Sequence, residues 1–429
     1  MNVHIITLGC KVNFCESESV SQMFLRSGYG LSGNIESAGV VVINSCSVTA
    51  EADRKTRQII RKVRKTNPSC VLALMGCMPQ TAGQEPDIFS EADIVIGNKD
   101  KVNVVNIVSR FINDRSKILN VFSFEKDEPF CSLPVCEVKS RSRAFLKIQD
   151  GCNKFCSYCV IPYARGRARS KSLDSILKDS KSFSELGFKE IVLVGINLSS
   201  YGCDIGSNLC EAVETVCSVQ GICRVRLSSI DPQILTPDIV DRISKMKKLC
   251  PQFHLSLQSG SDFVLKSMNR PYTNNQYISI VKNIKSKIPK ATITTDIMVG
   301  FPGETEDDFS KTLDIISEAE FLKVHVFPYS VRSGTKAAFM QNQIHKQIKT
   351  ARVKTVMELS LKIAENLLRR SIGKTYSVLY EQKDINGFYE GYTENYILVK
   401  TKSEKDLKGK LLTTKIVSIQ NNWCVGSIL

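Results

Sequence analysis

Apolar runs recur through the first 115 residues with helical stretches between them. They are Val3–Leu8, Val40–Ile43, Val71–Met75 and Ile94–Ile96. The clearest helical stretch, Ala50–Thr66, is charged and amphipathic. Continuous apolar strands joined by helical crossovers predict a parallel sheet covered on both faces. A second series starts at Ala144. Its strand-like runs are Phe145–Gln149, Ile191–Val194, Val225–Ser228, His254–Gln258, Thr292–Ile297 and Val324–Phe327. Six strands alternating with helical patterns predict a partial (βα)6 barrel, two units short of the closed eight-fold form. Ile344–Arg370 has a long basic helix pattern, and after Gly373 the texture changes. Short pieces at Tyr376–Tyr380, Gly391–Lys400 and Leu411–Ile419 predict a small OB-like β-barrel. Residues 116–137, with Pro129 and Pro134 and no period, read as a linker. The expected fold is α/β, with a parallel-sheet domain at 1–115, a barrel core at 138–368 and a β-barrel at 371–429.

Charge adds a partner to this outline. The chain carries 58 Lys plus Arg against 43 Asp plus Glu, a net charge of +15. Such a surplus points to nucleic acid first and an anionic membrane surface second. Nine of the basic residues fall within Lys139–Lys171, opposed only by Asp150, and eight lie within Ile344–Lys374. No apolar run approaches the ~18 residues of a membrane span. The N-terminus lacks the basic and apolar regions of a signal peptide. Together these lead us to expect a cytoplasmic protein, a monomer with no membrane contact, and reduced thiols.

Sixteen cysteines then become informative. Cys152, Cys156 and Cys159 lie within eight residues as CxxxCxxC, just after the first strand of the second series. Thiolates select soft metals, and a closed structural zinc site takes four ligands. Three ligands suit a 4Fe–4S cube with one iron left open to chelate S-adenosylmethionine. Tyr158 just before the third cysteine matches the radical SAM signature. Cys10, Cys46 and Cys77 are dispersed, but each follows an apolar strand and a small residue (Gly9, Ser45, Gly76). Ligands of open parallel sheets gather beyond the carboxyl ends of the strands, so these three can converge. The alternative is three buried packing cysteines.

The two constellations together resemble the radical SAM methylthiotransferases, over essentially the whole chain. Further matching stretches are Pro162–Ser170, Leu193–Asn197 with Tyr201-Gly202, Leu255–Gly260 with Met268–Arg270, and Asp296–Glu304. Thr7-Leu-Gly-Cys10-Lys11-Val12-Asn13 looks like the branch acting on N6-threonylcarbamoyladenosine beside the tRNA anticodon. The resemblance implies two 4Fe–4S clusters, S-adenosylmethionine and a C-terminal TRAM domain. Cys152, Cys156 and Cys159 would hold the cluster that cleaves S-adenosylmethionine, and Cys10, Cys46 and Cys77 an auxiliary cluster carrying the sulfur. Tyr158, Gly195, Asn197, Gln258, Asp296 and Gly300 are expected around S-adenosylmethionine. No acid–base residue is expected, because C2 of adenine is neither acidic nor electrophilic. Arg165, Arg167, Arg169, Lys171, Lys374 and Tyr392 are the candidate RNA contacts. The expected partners are tRNA, an external electron donor and a sulfur donor. The alternatives are the same chemistry on isopentenyladenosine or on a ribosomal-protein aspartate, or an iron–sulfur RNA-binding sensor without catalysis.

Overall fold

The computed structural model describes residues 1–82, 89–135 and 141–429. The first unit is a parallel sheet built from β1 (Asn2–Thr7), β2 (Gly30–Leu31), β3 (Val40–Ser45), β4 (Val71–Gly76), β5 (Ile94–Ile96) and β6 (Ile118–Asn120), in the order β2-β1-β3-β4-β5-β6. Every residue of β3 and β4 is buried, as expected of strands covered on both faces. The covering helices are α1 (Lys11–Arg26), α2 (Ala50–Thr66), α3 (Cys77–Ala82) and α4 (Val104–Asp114). Thr49 caps α2 by accepting from the Ala52 amide, with Glu51 and Asp53 in the first turn and Arg64 and Lys65 in the last. The sixth strand comes from the stretch read as linker, so this sheet runs past residue 115. The expected start of the second unit at 138 lies outside the described residues.

The second unit carries six parallel strand positions, as the sequence suggested. They are β7 (Arg143–Lys147), then, after the short β8 (Gln149–Asp150), α5 (Ile161–Arg165), β9 (Arg169–Ser170) and α6 (Leu173–Glu185), β10 (Glu190–Val194). After α7 (Leu209–Cys217) come β11 (Arg224–Leu227) with its continuation β12 (Ser229–Ile230), α8 (Pro237–Ser244) and β13 (Gln252–Leu255). Helices α9 (Asp262–Ser267) and α10 (Asn274–Lys287) precede β14 (Thr292–Val299), and α11 (Glu306–Ala319) precedes β15 (Lys323–Pro328). They pair as β11-β10-β7 and β12-β13-β14-β15.

The two faces of these strands differ. Ala144, Leu146, Ile191, Leu193, Val225, Leu227, Phe253, Leu255, Ile293 and Ile297 pack with the helices in one large core. With period two, the residues between them share the opposite face. These are the apolar Phe145, Val192 and Val194 and, in the majority, Arg143, Lys147, Glu190, Arg224, Arg226, Gln252, His254, Thr294 and Asp296, with His325 on β15. A closed eight-stranded barrel fills its interior with branched apolar side chains. This one instead has a largely polar, charged inner face.

Helix α12 (Lys346–Arg369) leads to a closed barrel of β16 (Thr375–Lys383), β17 (Phe388–Thr393), β18 (Leu398–Lys402), β19 (Leu411–Gln420) and β20 (Trp423–Ile428). The run Gly391–Lys400, read as one strand, breaks into β17 and β18 around a turn in which Tyr396 has φ 68°. Tyr380 and Tyr389 fill the barrel core with Val378, Val399 and Ile416.

Candidate active site

The CxxxCxxC loop follows β8 and ends at α5. Its thiols accept from backbone amides. Lys154 N lies 3.5 Å from Cys152 Sγ, and Ile161 N lies 3.4 Å from Cys159 Sγ. Two side chains reach the same sulfurs: Asn197 Nδ2 is 3.9 Å from Cys152 Sγ, and Arg270 Nη1 is 3.8 Å from Cys156 Sγ. Burial pushes the Cys159 thiol up to about 12, so its thiolate needs a cation or a metal beside it. All three cysteines line one recess with Tyr158, Asn197, Gln258, Ser229, Asp231, Ser256 and Arg270.

Three of the six residues expected around S-adenosylmethionine are therefore at this recess, and Gly195, Asp296 and Gly300 do not line it. Gly195 is packed against Gln149 and Leu198, and Gly300 against the Lys349 side chain. Asp296 sits on the inner barrel face, where its carboxylate meets His254 Nε2 at 3.0 Å and accepts from Ser256 Oγ at 3.3 Å. Burial alone would raise its pKa, but His254, His325 and Ser256 together outweigh that and the net direction is down. Asp231 was missed by motif reading, and Arg270, although it ends the matching stretch Met268–Arg270, was not expected at this recess. They pair at 3.4 Å, and Arg270 also donates to the Ser256 carbonyl. The sequence signal was the matching stretch Met268–Arg270, in which Asn269 takes a left-handed φ of 59°.

The second group forms beyond the ends of β1, β3 and β4, on one side of the sheet. Cys10 is the residue before α1, Cys46 follows β3, and Cys77 opens α3. Their approach is close enough that a Cβ on Gly9 (φ 102°) would lie 2.6 Å from Cys46 Cβ. A Cβ on Gly76 (φ 110°) would lie 2.6 Å from the Ser45 carbonyl oxygen. Asn13 fastens two of the strand ends together, donating to the Leu8 carbonyl at 2.8 Å and the Ser45 carbonyl at 2.9 Å. Burial pushes the Cys46 thiol up to about 12.

An ion cluster stands beside these thiols. Glu16 on α1 accepts from Lys101, from Lys147 at 2.7 Å and from Arg165 at 2.8 Å. Asp150 pairs with Lys147 at 2.6 Å and Arg165 at 3.0 Å. Burial opposes ionisation of Glu16, yet Arg165, Lys101 and Lys147 hold its pKa well below the usual carboxylate range. With Arg169 3.9 Å from Asp150, four cations face two carboxylates, and part of the surplus lies within electrostatic reach of Cys10, Cys46 and Cys77. Three RNA candidates are corrected here. Arg165 is 1% exposed and belongs to this cluster. Arg169 is buried, donating to the Arg165 carbonyl, and Lys171 is buried against Asp179. An isolated buried cation is too costly to keep, so each finds an internal carboxylate or carbonyl. Tyr392 is half-buried. It stacks on Tyr396 at 4.6 Å, and the Arg143 guanidinium lies 5.4 Å from its ring. Arg167 and Lys374 remain exposed.

The two cysteine groups flank one short helix. Ile161, the first residue of α5, donates to Cys159, and Arg165, the last, anchors the ion cluster beside the other group. Asn98 spans the join, donating to Cys77 Sγ at 3.5 Å and to the Ala164 carbonyl at 2.6 Å.

Comparison with known proteins gives this geometry a family. Residues 146–316 match the radical SAM superfamily and residues 2–97 match Uncharacterized protein family UPF0004. The chain is 36% identical over 419 residues to a Bacillus subtilis protein named threonylcarbamoyladenosine tRNA methylthiotransferase MtaB, covering 96% of this chain and 92% of that one. A protein of the same name from Aquifex aeolicus is 36% identical over 416 residues, covering 97% and 100%. A Pelotomaculum thermopropionicum protein named tRNA-2-methylthio-N(6)-dimethylallyladenosine synthase is 35% identical over 422 residues, covering 96% and 94%. The chain belongs to the radical SAM methylthiotransferase family. Among solved structures, the radical S-adenosylmethionine methyltransferase TsrM from Kitasatospora setae superposes with TM-score 0.58 at 12% identity, over 79% of this chain and 77% of that one. That likeness is one of fold.

As a radical SAM methylthiotransferase the chain is an enzyme, and its superfamily implies S-adenosylmethionine and a 4Fe–4S cluster. The CxxxCxxC recess fits both groups. It offers three thiols, and the buried Asp231 Oδ2 there makes no hydrogen bond, being held only by the charges of Arg270 at 3.4 Å and Lys154 at 3.7 Å. Among the described residues no helix is long and apolar enough to cross a membrane.

Proposed function

We propose that this chain is a tRNA methylthiotransferase that converts N6-threonylcarbamoyladenosine next to the anticodon to its 2-methylthio derivative. The observation that carries this reading is the pair of three-cysteine groups on either side of α5. Cys152, Cys156 and Cys159 would hold the cluster that works with S-adenosylmethionine, and Cys10, Cys46 and Cys77 an auxiliary 4Fe–4S cluster. Arg165 Nε is buried beside the second group without a partner, a donor suited to an anionic cluster. When bound, these groups supply one-electron hydrogen removal from an unactivated carbon and the sulfur and methyl to be inserted.

The chain's own residues position and shield. Asn197 and Arg270 aim donors at the thiols of the loop. Asp231 offers an acceptor to S-adenosylmethionine, and Tyr158, packed against Met268, Phe301 and Tyr329, closes that recess. Asn98 and Arg165 do the same for the strand-end group. Exposed Arg167 lies 5.9 Å from the ring of Phe155, which meets Tyr163 edge-on at 6.0 Å. Phe155 is 39% and Tyr163 60% exposed, so this patch offers stacking surface and charge to an unpaired RNA segment. We infer a cytoplasmic enzyme that also needs an external electron donor and a sulfur donor.

Mass spectrometry of tRNA nucleosides tests the reading. A deletion strain should lack 2-methylthio-N6-threonylcarbamoyladenosine and regain it with this chain. Restoration of the methylthio isopentenyl nucleoside alone would move the enzyme to the other substrate, and no change in either would overturn the tRNA assignment.

A further inference from the structure

The strand-end cysteines are joined to the barrel unit a second time, without α5. The chain leaving β15 runs onto the sheet unit as a strap. Ser330 Oγ accepts from the amide of Ala50, the first residue of α2, at 3.3 Å. Two residues on, Arg332 Nη1 donates to Asp53 Oδ2 at 2.6 Å. The other oxygen of that carboxylate, Asp53 Oδ1, accepts from Ser47 Oγ at 2.7 Å, and Ser47 directly follows Cys46. Thr81 Oγ1 lies 3.1 Å from Ser47 Oγ and 3.0 Å from the Cys77 carbonyl, so its proton serves one or the other. One carboxylate thus connects the strap to the segments that carry two of the three strand-end cysteines.

The strap then turns at Gly334 (φ 79°) and reaches the loop group. Thr335 Oγ1 donates to the Arg332 carbonyl at 2.7 Å, and the Ala337 amide donates to the Ser157 carbonyl at 2.8 Å. Ser157 stands between Cys156 and Tyr158. Ala337 is fully buried and packs with Tyr158, Met268, Phe301 and Tyr329. The five residues from Arg332 to Ala337 span at most about 18 Å, so the strap has little slack. Arg332 is 11% and Asp53 16% exposed, which makes this ion pair desolvated and directional. The Arg54–Glu51 pair on the same helix is just as short, but both side chains are exposed and water screens them. Through α5 the barrel unit reaches Cys77 and the ion cluster, and through the strap it reaches Cys46. One tie sets a separation and leaves rotation about it free; two ties fix both.

We propose that Arg332 is a positioning residue that, through Asp53 and Ser47, fixes how the strand-end cysteines face the CxxxCxxC recess. Hydrogen removal and sulfur insertion then meet at one carbon of one bound base. The inference rests on the two-group reading above and deepens it. Arg332 touches neither group of thiols. Its loss leaves the loop group able to cleave S-adenosylmethionine, since those thiols keep their own amides, Asn197 and Arg270. What is lost is the alignment of the second group, so cleavage runs without insertion.

The test uses the full chain, anaerobically reconstituted, with an anticodon stem-loop carrying threonylcarbamoyladenosine. 5′-Deoxyadenosine and methylthio nucleoside are counted together, iron is counted per chain, and backbone hydrogen exchange is followed over residues 46–53 with and without iron. Arg332→Gln should keep the parent's iron and stay within about twofold of its cleavage rate, while product falls about tenfold to a hundredfold, the scale of a misplacement of about 1 Å. The ratio of 5′-deoxyadenosine to product rises by the same factor. Asp53→Asn should match it, and the double variant should be no worse than either single one, because both remove one contact. Arg332→Lys should recover part of the coupling. Exchange over residues 46–53 should quicken in Arg332→Gln even without iron, and Arg54→Gln should change none of these readings. An unchanged ratio in Arg332→Gln overturns the positioning role. A parallel fall of cleavage and product, or loss of iron, also overturns it, because Arg332 would then hold the fold and not the alignment. A parent that takes up only about four irons overturns the two-group reading instead, whatever Arg332 does.

Discussion

The two cysteine groups of this chain are built by opposite means. Cys152, Cys156 and Cys159 sit on one loop, and their spacing is fixed by eight consecutive residues. Cys10, Cys46 and Cys77 lie 36 and 31 residues apart and meet only because three parallel strands end at one level. The loop group can form wherever its local turn forms. The strand-end group depends on the register of a whole sheet, on Gly9 and Gly76, and on the Asn13 clamp. Yet both converge on α5, whose five residues rise about 7.5 Å. The lesson is that one short helix sets the spacing between two sites of unrelated construction.

The sharpest way to break the comparison is to remove one thiol from each group. Cys156→Ala should abolish both methylthio product and reductive cleavage of S-adenosylmethionine. Cys46→Ala should abolish product but leave 5′-deoxyadenosine formation measurable by chromatography. Methylthio product from Cys46→Ala would show that the strand-end group is not a cluster site.

A second test leaves every cysteine in place. Two clusters of four irons imply about eight irons per reconstituted chain. Gly9→Ala puts a Cβ 2.6 Å from Cys46 Cβ, at a φ of 102° that L side chains rarely adopt. Iron should fall to about half, and the lost part should belong to the strand-end group. Full iron in Gly9→Ala would mean that the three strand ends need not approach so closely.

The same contrast explains what could be read from the sequence. The CxxxCxxC loop is legible because its ligands are neighbours in the chain. The strand-end cysteines were legible only through a rule of parallel sheets, and their supports Asn98, Lys101 and Glu16 gave no signal. Arg165, Arg169 and Lys171 misled, because a run of basic residues reads as a surface when its partners are distant in sequence. Glu16 is 149 residues from Arg165. His254 and His325 lie inside the strand-like runs His254–Gln258 and Val324–Phe327 without a sign of which way they face, since period two marks alternate faces without saying which one is apolar. The polar barrel interior therefore became visible only once the apolar partners of β7, β10, β11, β13 and β14 were seen packing outward.

Glu16 offers a smaller and purely energetic test. It ties the sheet unit to the barrel, and Glu16→Gln leaves Lys101 and Arg165 buried without their main counter-charge. Breaking a buried ion cluster this way costs about 3–5 kcal/mol. Its folded pKa is depressed, so the stability it contributes is present above its unfolded value of about 4.3 and drains as pH falls through the folded value. Urea midpoints should therefore separate parent and Glu16→Gln widely at pH 7, begin to approach each other only below about pH 4, and close further as pH falls towards the depressed folded value. Glu51→Gln, which removes an exposed pair with Arg54, should leave the midpoint in place. Equal midpoints for Glu16→Gln and the parent at pH 7 would mean that the cluster does not fasten the two units.

The weakest expected effect concerns the way RNA reaches α5. With Arg165, Arg169 and Lys171 turned inward, Arg167 is the exposed cation left in that run, and it lies beside the exposed Phe155 and Tyr163 rings. A single phosphate contact changes the slope of log affinity against log salt by about one. Arg167→Gln should lower the slope for an anticodon stem-loop by about that amount. Tyr163→Ala should weaken binding by about 1–3 kcal/mol at every salt concentration without changing the slope, because stacking releases no counterions. Lys171→Gln serves as the internal comparison, since its ammonium is committed to Asp179 and should not alter the slope. A slope change in Lys171→Gln but not in Arg167→Gln would reverse the assignment of inward and outward charge around the loop group. RNA would then approach from the α6 side, away from the strand-end cysteines.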